Sequence, residues 1–234
     1  ASVPPQRAPV EPLSARQALL AAKGSLLLST PASISSNGGW LGFDAPLVAG
    51  RYSTLSFHLW LVDDGSMQGQ PIPTGEATAR HITQTARDTL ENITPNLRVT
   101  RPKNSAVSKF YLSGPRSIAK RSIQGAYSAS AVRFSQWLHI VLAVRDRTVT
   151  LFVDGKLEAA YTVLGSSDAS KKQDVPHEAV LFGSGDDFNG MSAIIDGVMF
   201  FPSTGMVREE AADAAGLYQP LPMPAALARP LVDE

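Results

Sequence analysis

Residues 134–163 read FSQWLHIVLAVRDRTVTLFVDGKLEAAYTV. Leu138, Ile140, Leu142 and Val144 alternate with Trp137, His139, Val141 and Ala143, the period-two pattern of a strand whose two faces are both largely apolar. Polar Arg145-Asp146-Arg147 breaks that pattern. Val149, Leu151 and Val153 resume it as far as Asp154-Gly155, the dipeptide that most readily takes the positive φ angles of a two-residue hairpin turn. The segment therefore predicts three consecutive antiparallel strands joined by two tight turns, and it sets an all-β, antiparallel expectation for the whole chain.

Outward from this core the pattern recurs. Upstream, Thr54–Val62 places Leu55, Phe57, Leu59 and Leu61 on one face of a strand. Shorter strands are expected at Ser25–Ser29, Trp40–Phe43, Leu97–Thr100, Ser108–Leu112 and Ala126–Ala129. Downstream, Glu178–Gly183 and Met191–Phe201 close the set. Between Leu61 and Leu97 the sequence is rich in Gly, Pro, Thr and Gln, and residues 63–96 read as an insertion in which Ala77–Leu90 is the one helical candidate. The ends differ from the middle. Residues 1–24 form a Pro-rich arm running into a short helix that Ser14 opens and Gly24 stops. Met206–Leu217, with acids early and Ala-rich spacing, predicts a second short helix. Residues 219–234 form a Pro-rich tail expected to run extended.

The order Trp137-Leu-His-Ile-Val-Leu-Ala-Val, then Val149-Thr-Leu-Phe-Val-Asp-Gly-Lys156, Leu181-Phe-Gly183, Phe188-Asn-Gly190 and Ile194-Ile-Asp-Gly-Val-Met-Phe-Phe201 resembles the laminin-G-like jelly roll of the concanavalin A-like lectin/glucanase superfamily. The resemblance covers residues 25–218 and implies a jelly-roll sandwich followed by a short helix. It implies little about activity, because that architecture carries lectins, glycosidases, adhesion domains and scaffolding modules.

Charge and cysteine narrow the classes. Among 234 residues Lys plus Arg and Asp plus Glu are both 21, and cysteine is absent. The neutrality hides an asymmetry. From Asn92 to Arg145 there are bases and no acid, so Arg98, Arg101, Lys103, Lys109, Arg116, Lys120 and Arg121 are a candidate basic contact surface for nucleic acid, anionic lipid or an acidic protein; the plainer reading spreads them over loops and sheet faces. Absence of cysteine leans toward a reducing or organellar compartment. The start at Ala1, without a signal-peptide layout, suggests a processed or trimmed product, as mature mitochondrial subunits are, in an intracellular setting more than a secreted one. No apolar run approaches a membrane span.

Catalytic and metal spacings are thin. Glycosidases on this architecture need two carboxylates flanking one bond, typically on one strand, and neither Asp63-Asp64 nor Glu209-Glu210 has that placement. Asp186, Asp187 and Asn189 are the best oxygen cluster for a metal, calcium being the candidate, with Asp63 and Asp64 from another loop; the competing reading is a solvated hairpin tip. His58 and His139 lie in expected strands, His81 and His177 in expected loops, without the spacing of a helical metal site. Ser117-Ile-Ala-Lys120 lacks the companion motifs of Ser-x-x-Lys enzymes, no phosphate-binding glycine loop appears, and the sequon Asn92-Ile-Thr94 precedes Pro95. Trp40, Trp60, Trp137, Tyr52, Tyr111, Tyr127 and Tyr161 are either core residues or a sugar-stacking platform. Phe110 and Tyr111 interleave with the bases, as in single-strand nucleic-acid binders.

These observations lead to the expectation of a non-catalytic interaction or structural module without a cofactor, fastened by its terminal arms and loops to other protein subunits of a larger intracellular or organellar assembly. The alternative is a carbohydrate-binding, lectin-like domain, calcium-assisted.

Overall fold

The computed structural model describes residues 12–34, 40–45, 52–62, 74–75, 80–85, 96–116, 123–162, 180–183 and 191–223. They form two antiparallel sheets packed face to face. Strands β1 (Ser25–Leu28), β2 (Ala32–Ile34), β4 (Ser53–Leu61), β9 (Trp137–Arg145), β10 (Thr148–Val153), β11 (Lys156–Thr162) and β13 (Ala193–Pro202) make the first sheet. Its order is β1-β13-β4-β9-β10-β11, with β2 also pairing β13. The second sheet contains β3 (Trp40–Phe43), β5 (Arg80–Thr85), β6 (Asn96–Thr100), β7 (Lys109–Arg116), β8 (Ile123–Tyr127) and β12 (Val180–Gly183), in the order β3-β12-β5-β6-β7-β8. The expected all-β sandwich is what the chain forms.

The alternation read from the sequence sorts side chains between two cores. Leu55, Phe57, Leu59 and Leu61 of β4, with Leu138, Ile140, Leu142 and Val144 of β9, face inward against Ile82, Leu97, Val99, Phe110, Leu112 and Phe182 of the other sheet. The opposite face of the first sheet is also apolar at one end. There Val141, Ala143, Phe152, Met199 and Phe201 pack beneath two helices, α1 (Ala15–Ala21) and α2 (Arg208–Ala214), through Leu20, Ala211 and Ala214. This second layer explains why the central strand reads as apolar on both sides.

Helix α1 begins where Ser14 was expected to open it. The Gln17 backbone N–H donates to Ser14 Oγ (3.2 Å) and the Ser14 N–H donates to Gln17 Oε1 (2.9 Å), a reciprocal cap that satisfies two otherwise orphaned donors. Helix α2 starts at Arg208, where Glu210 accepts the Val207 N–H at 3.1 Å. The β10–β11 turn has positive φ at both central residues, 50° at Asp154 and 72° at Gly155, as a type I′ hairpin requires.

Two local expectations are corrected. The helix expected over Ala77–Leu90 is replaced by β5, which pairs β12 on one side and β6 on the other. Its β-branched Ile82 and Thr83 are fully buried, and pairing on both edges outweighs the weak helical propensity of the segment. Consequently His81 lies in a strand. The turn expected between the first two strands also contains β2, paired with β13 from Ala193 to Ile195.

Candidate functional site

Two features of the described residues carry chemistry: an open cleft at the tip of the β10–β11 hairpin, and a closed polar cluster beneath the C-terminal segment.

The cleft, about 260 Å³, has an apolar floor of Phe110, Leu138 and Val153, with Ser130, Arg133, Asp154, Lys156 and Glu158 around it. Register creates it. β11 places Lys156 and Glu158 two residues apart, hence on one side of the strand, and the connection between β8 and β9 lies against them. That connection is clamped: the Ser128 N–H donates to Phe110 O (2.8 Å), Ala129 N–H to Glu158 O (2.8 Å) and Val132 N–H to Ser108 O (2.8 Å). Lys109 Nζ adds a bond to Ala129 O (2.9 Å). Glu158 accepts from the Ser130 N–H (2.7 Å) and Oγ (2.8 Å), one at each carboxylate oxygen. Asp154 accepts the His139 N–H (2.8 Å) at one oxygen and the Arg133 guanidinium at the other.

The closed cluster follows from pairing β13, β4 and β9. Asp196 is the register partner of His58, His58 of His139, and Trp60 of Trp137. All five project from the face opposite the main core. Residues 218–223 lie across them as a strap. Asp196, fully buried, accepts Tyr218 Oη–H (2.6 Å), the Gly197 N–H (2.8 Å) and the Leu221 N–H (3.1 Å), while Trp137 Nε1–H donates to Leu221 O (3.0 Å). Gly197, at φ 59°, makes room for the strap, because a Cβ there would meet the Tyr218 ring at 2.1 Å.

Burial lowers the pKa of both imidazoles, His58 to about 4 against a partial opposing pull from Asp154, and His139 to about 3 with a further push from His58. Ser56 Oγ and His139 Nε2 are 2.8 Å apart, the spacing of a nucleophile and its base. Both side chains are buried, and the contact holds β4 to β9. Asp196→Asn removes the charge and one acceptor oxygen from three donors. A loss of about 2–3 kcal/mol in stability is expected, with faster proteolysis after Tyr218; a melting curve and cleavage rate equal to the parent's would show that the strap is held by something else.

The other candidate residues disperse. Arg98 lies in one cross-strand row with His81, Tyr111 and Tyr127, on the outer side of the second sheet. There burial and the Arg98 charge lower the His81 pKa to about 3. Arg101 bridges Thr74, Lys103 is exposed, and Lys109 serves the cleft connection. Arg116 ends β7, whereas Lys120 and Arg121 lie outside the described residues, as do Asp63, Asp64, Asp186, Asp187 and Asn189. Among the described residues no three His, Cys, Asp or Glu side chains converge as metal ligands. Of the aromatics, Trp60 and Tyr111 are buried and Tyr52 is exposed. Sequence reading passed over Ser130, Lys156 and Glu158; the signal was Asp154-Gly-Lys-Leu-Glu158, a turn followed by two same-side charges.

No family model matches this sequence, and a search of curated proteins gives no match. Solved structures do resemble it. A native heptameric SAP-like pentraxin from Limulus polyphemus is 13% identical, with a TM-score of 0.52 and 79% of each chain covered. Domain 4 of AbnA, a GH43 extracellular arabinanase from Geobacillus stearothermophilus solved with arabinotriose, is 11% identical, with a TM-score of 0.50, covering 84% of this chain and 88% of that one. At such identity the likeness concerns fold alone. It is consistent with the concanavalin A-like architecture without singling out its laminin-G branch: this chain is a jelly-roll β-sandwich.

Proposed function

We propose that the chain is a non-catalytic interaction module that docks, through the face carrying its N-terminal helix, onto another protein of a larger intracellular or organellar assembly. The observation that carries this reading is Leu19, 69% exposed on α1 next to buried Leu20. The helix is tied to α2: Arg16 pairs with Asp213 at 3.0 Å and Gln17 Nε2–H donates to Asp213 O at 3.4 Å. Leu13 and Leu26, at either end of the same N-terminal region, are 40% and 49% exposed. A leucine fixed outward gains about 1.5–3 kcal/mol when a partner covers it. Leu19→Ser should therefore weaken assembly about 10- to 100-fold while leaving the isolated fold intact. Native mass measurement of tagged endogenous protein checks this; a wild-type chain running as a free monomer would remove the reading.

The cleft favours a second reading, saccharide binding. Its combination of apolar floor and polar rim suits a sugar ring, and the arabinotriose of the arabinanase domain is a precedent on this fold. Calorimetric titration with neutral oligosaccharides tests it, and a binding heat that vanishes with chelator would bring calcium in with it. No helix among the described residues is long and apolar enough to cross a membrane.

A further inference from the structure

We propose that the hairpin cleft receives a carboxylate side chain presented by the partner polypeptide, held by Lys156 and Arg133. This rests on the assembly reading and names the chemistry of its second anchor. The cleft's hydrogen-bonding capacity is unevenly spent. Each oxygen of Asp154 and each oxygen of Glu158 already accepts a donor from the protein itself. Those two carboxylates therefore act as pillars that position the walls, and a cationic guest would find no unengaged carboxylate oxygen.

The donors are in the opposite condition. The Lys156 side chain, exposed at the mouth, makes no hydrogen bond or ion pair among the described residues. Arg133 commits one terminal nitrogen to Asp154 while its side chain remains 53% exposed, leaving most of a five-donor guanidinium for a guest. A guest matched to this surplus is rich in acceptors and negatively charged. A floor of Phe110, Leu138 and Val153 beneath about 260 Å³ suits a short methylene stem ending in a carboxylate, the shape of a glutamate side chain.

Two features favour a polypeptide as the source. The cleft opens beside β11, the edge strand of the first sheet, where Leu157 is 55% exposed between Lys156 and Glu158 and offers apolar contact to an adjoining chain. The clamped connection leaves the walls little freedom to lose on binding, so a single side chain can be held without a large ordering cost.

The test uses the full chain and defined probes. N-acetyl-glutamate N-methylamide should give saturable amide shifts at Ser130, Arg133 and Lys156 in NMR titration. The glutamine analogue should give none, and Lys156→Gln should weaken the glutamate probe about tenfold. In the tagged endogenous protein, Lys156→Glu should release the chain from its assembly as Leu19→Ser does. Equal shifts from the glutamine analogue, or an unchanged response in Lys156→Gln, would overturn the site. Release by Leu19→Ser but not by Lys156→Glu overturns the cleft's role and leaves the assembly reading standing, whereas a wild-type monomer overturns both. Tighter binding of glucuronate than of the glutamate probe would assign the cleft to a free sugar acid and overturn the polypeptide source.

Discussion

Gly155→Val is expected to destabilise the chain by about 3–5 kcal/mol, enough to consume much of the stability of an ordinary domain. Two costs add. Gly155 has φ 72°, a region that costs an L-residue about 1–2 kcal/mol, and more with a branched Cβ. A Cβ there would also stand 2.9 Å from Ala212 Cβ and 3.0 Å from its Cα. The second atom is helix backbone, so α2 must move, and overpacking of this kind costs about 1–3 kcal/mol. The moved helix takes Ala211 and Ala214 out of the layer that covers Val141 and Phe152. Urea denaturation measures the effect, and a midpoint shift worth less than about 1 kcal/mol would mean that the turn and helix adjust freely. The companion Asp154→Gly keeps the positive φ and removes the anchor of Arg133. It should lose about 1–2 kcal/mol and open the cleft.

How far the sequence could be read depended on how local the deciding physics was. The central strands were legible because alternation is written residue by residue, and Asp154-Gly155 because one turn type demands positive φ twice. Ser14 was legible for the same reason, its cap closing over three residues. β5 was not, since Arg80-His-Ile-Thr-Gln-Thr has no strong period and becomes a strand by pairing with β12 and β6, both remote in the chain. The candidate site suffered more. Arg133, Lys156 and Glu158 meet only because the β8–β9 connection is tied to β7 and β11, and Asp196 meets Tyr218 only because the chain returns across the sheet after α2. A motif search looks along the chain, whereas both features are built across it. The apolar outer positions Val141 and Phe152 were visible, but nothing local said that the chain's own ends would cover part of that face.

Three buried imidazoles, two of them under that return of the chain, make the protein acid-sensitive. His58, His81 and His139 have pKa values lowered to about 4, about 3 and about 3 from 6.5, burial being the first cause in each. In the unfolded chain each takes up a proton as pH falls through 6.5, while the folded chain keeps it neutral. The unfolded state then binds more protons, so stability falls as pH drops. The contribution is complete above 6.5 and is progressively lost down to the folded values near 4 and 3. At about pH 5 the loss should be on the order of 1–2 kcal/mol per imidazole, which over three groups rivals Gly155→Val. The first sheet should fail through its outer face. Charging His58 places a poorly solvated cation beside His139, 5.0 Å between ring centroids, in the layer that the strap covers, so the strap loosens before the inner core does. Urea midpoints at about pH 7, 6 and 5 should therefore decline steadily, and proteolysis after Tyr218 should accelerate at a pH where the central strands still resist exchange. His81→Gln, on the other sheet, should remove its share of the slope without altering strap release. Midpoints independent of pH over that range would show that the three imidazoles are solvated in the folded chain and would refute the burial on which the prediction stands.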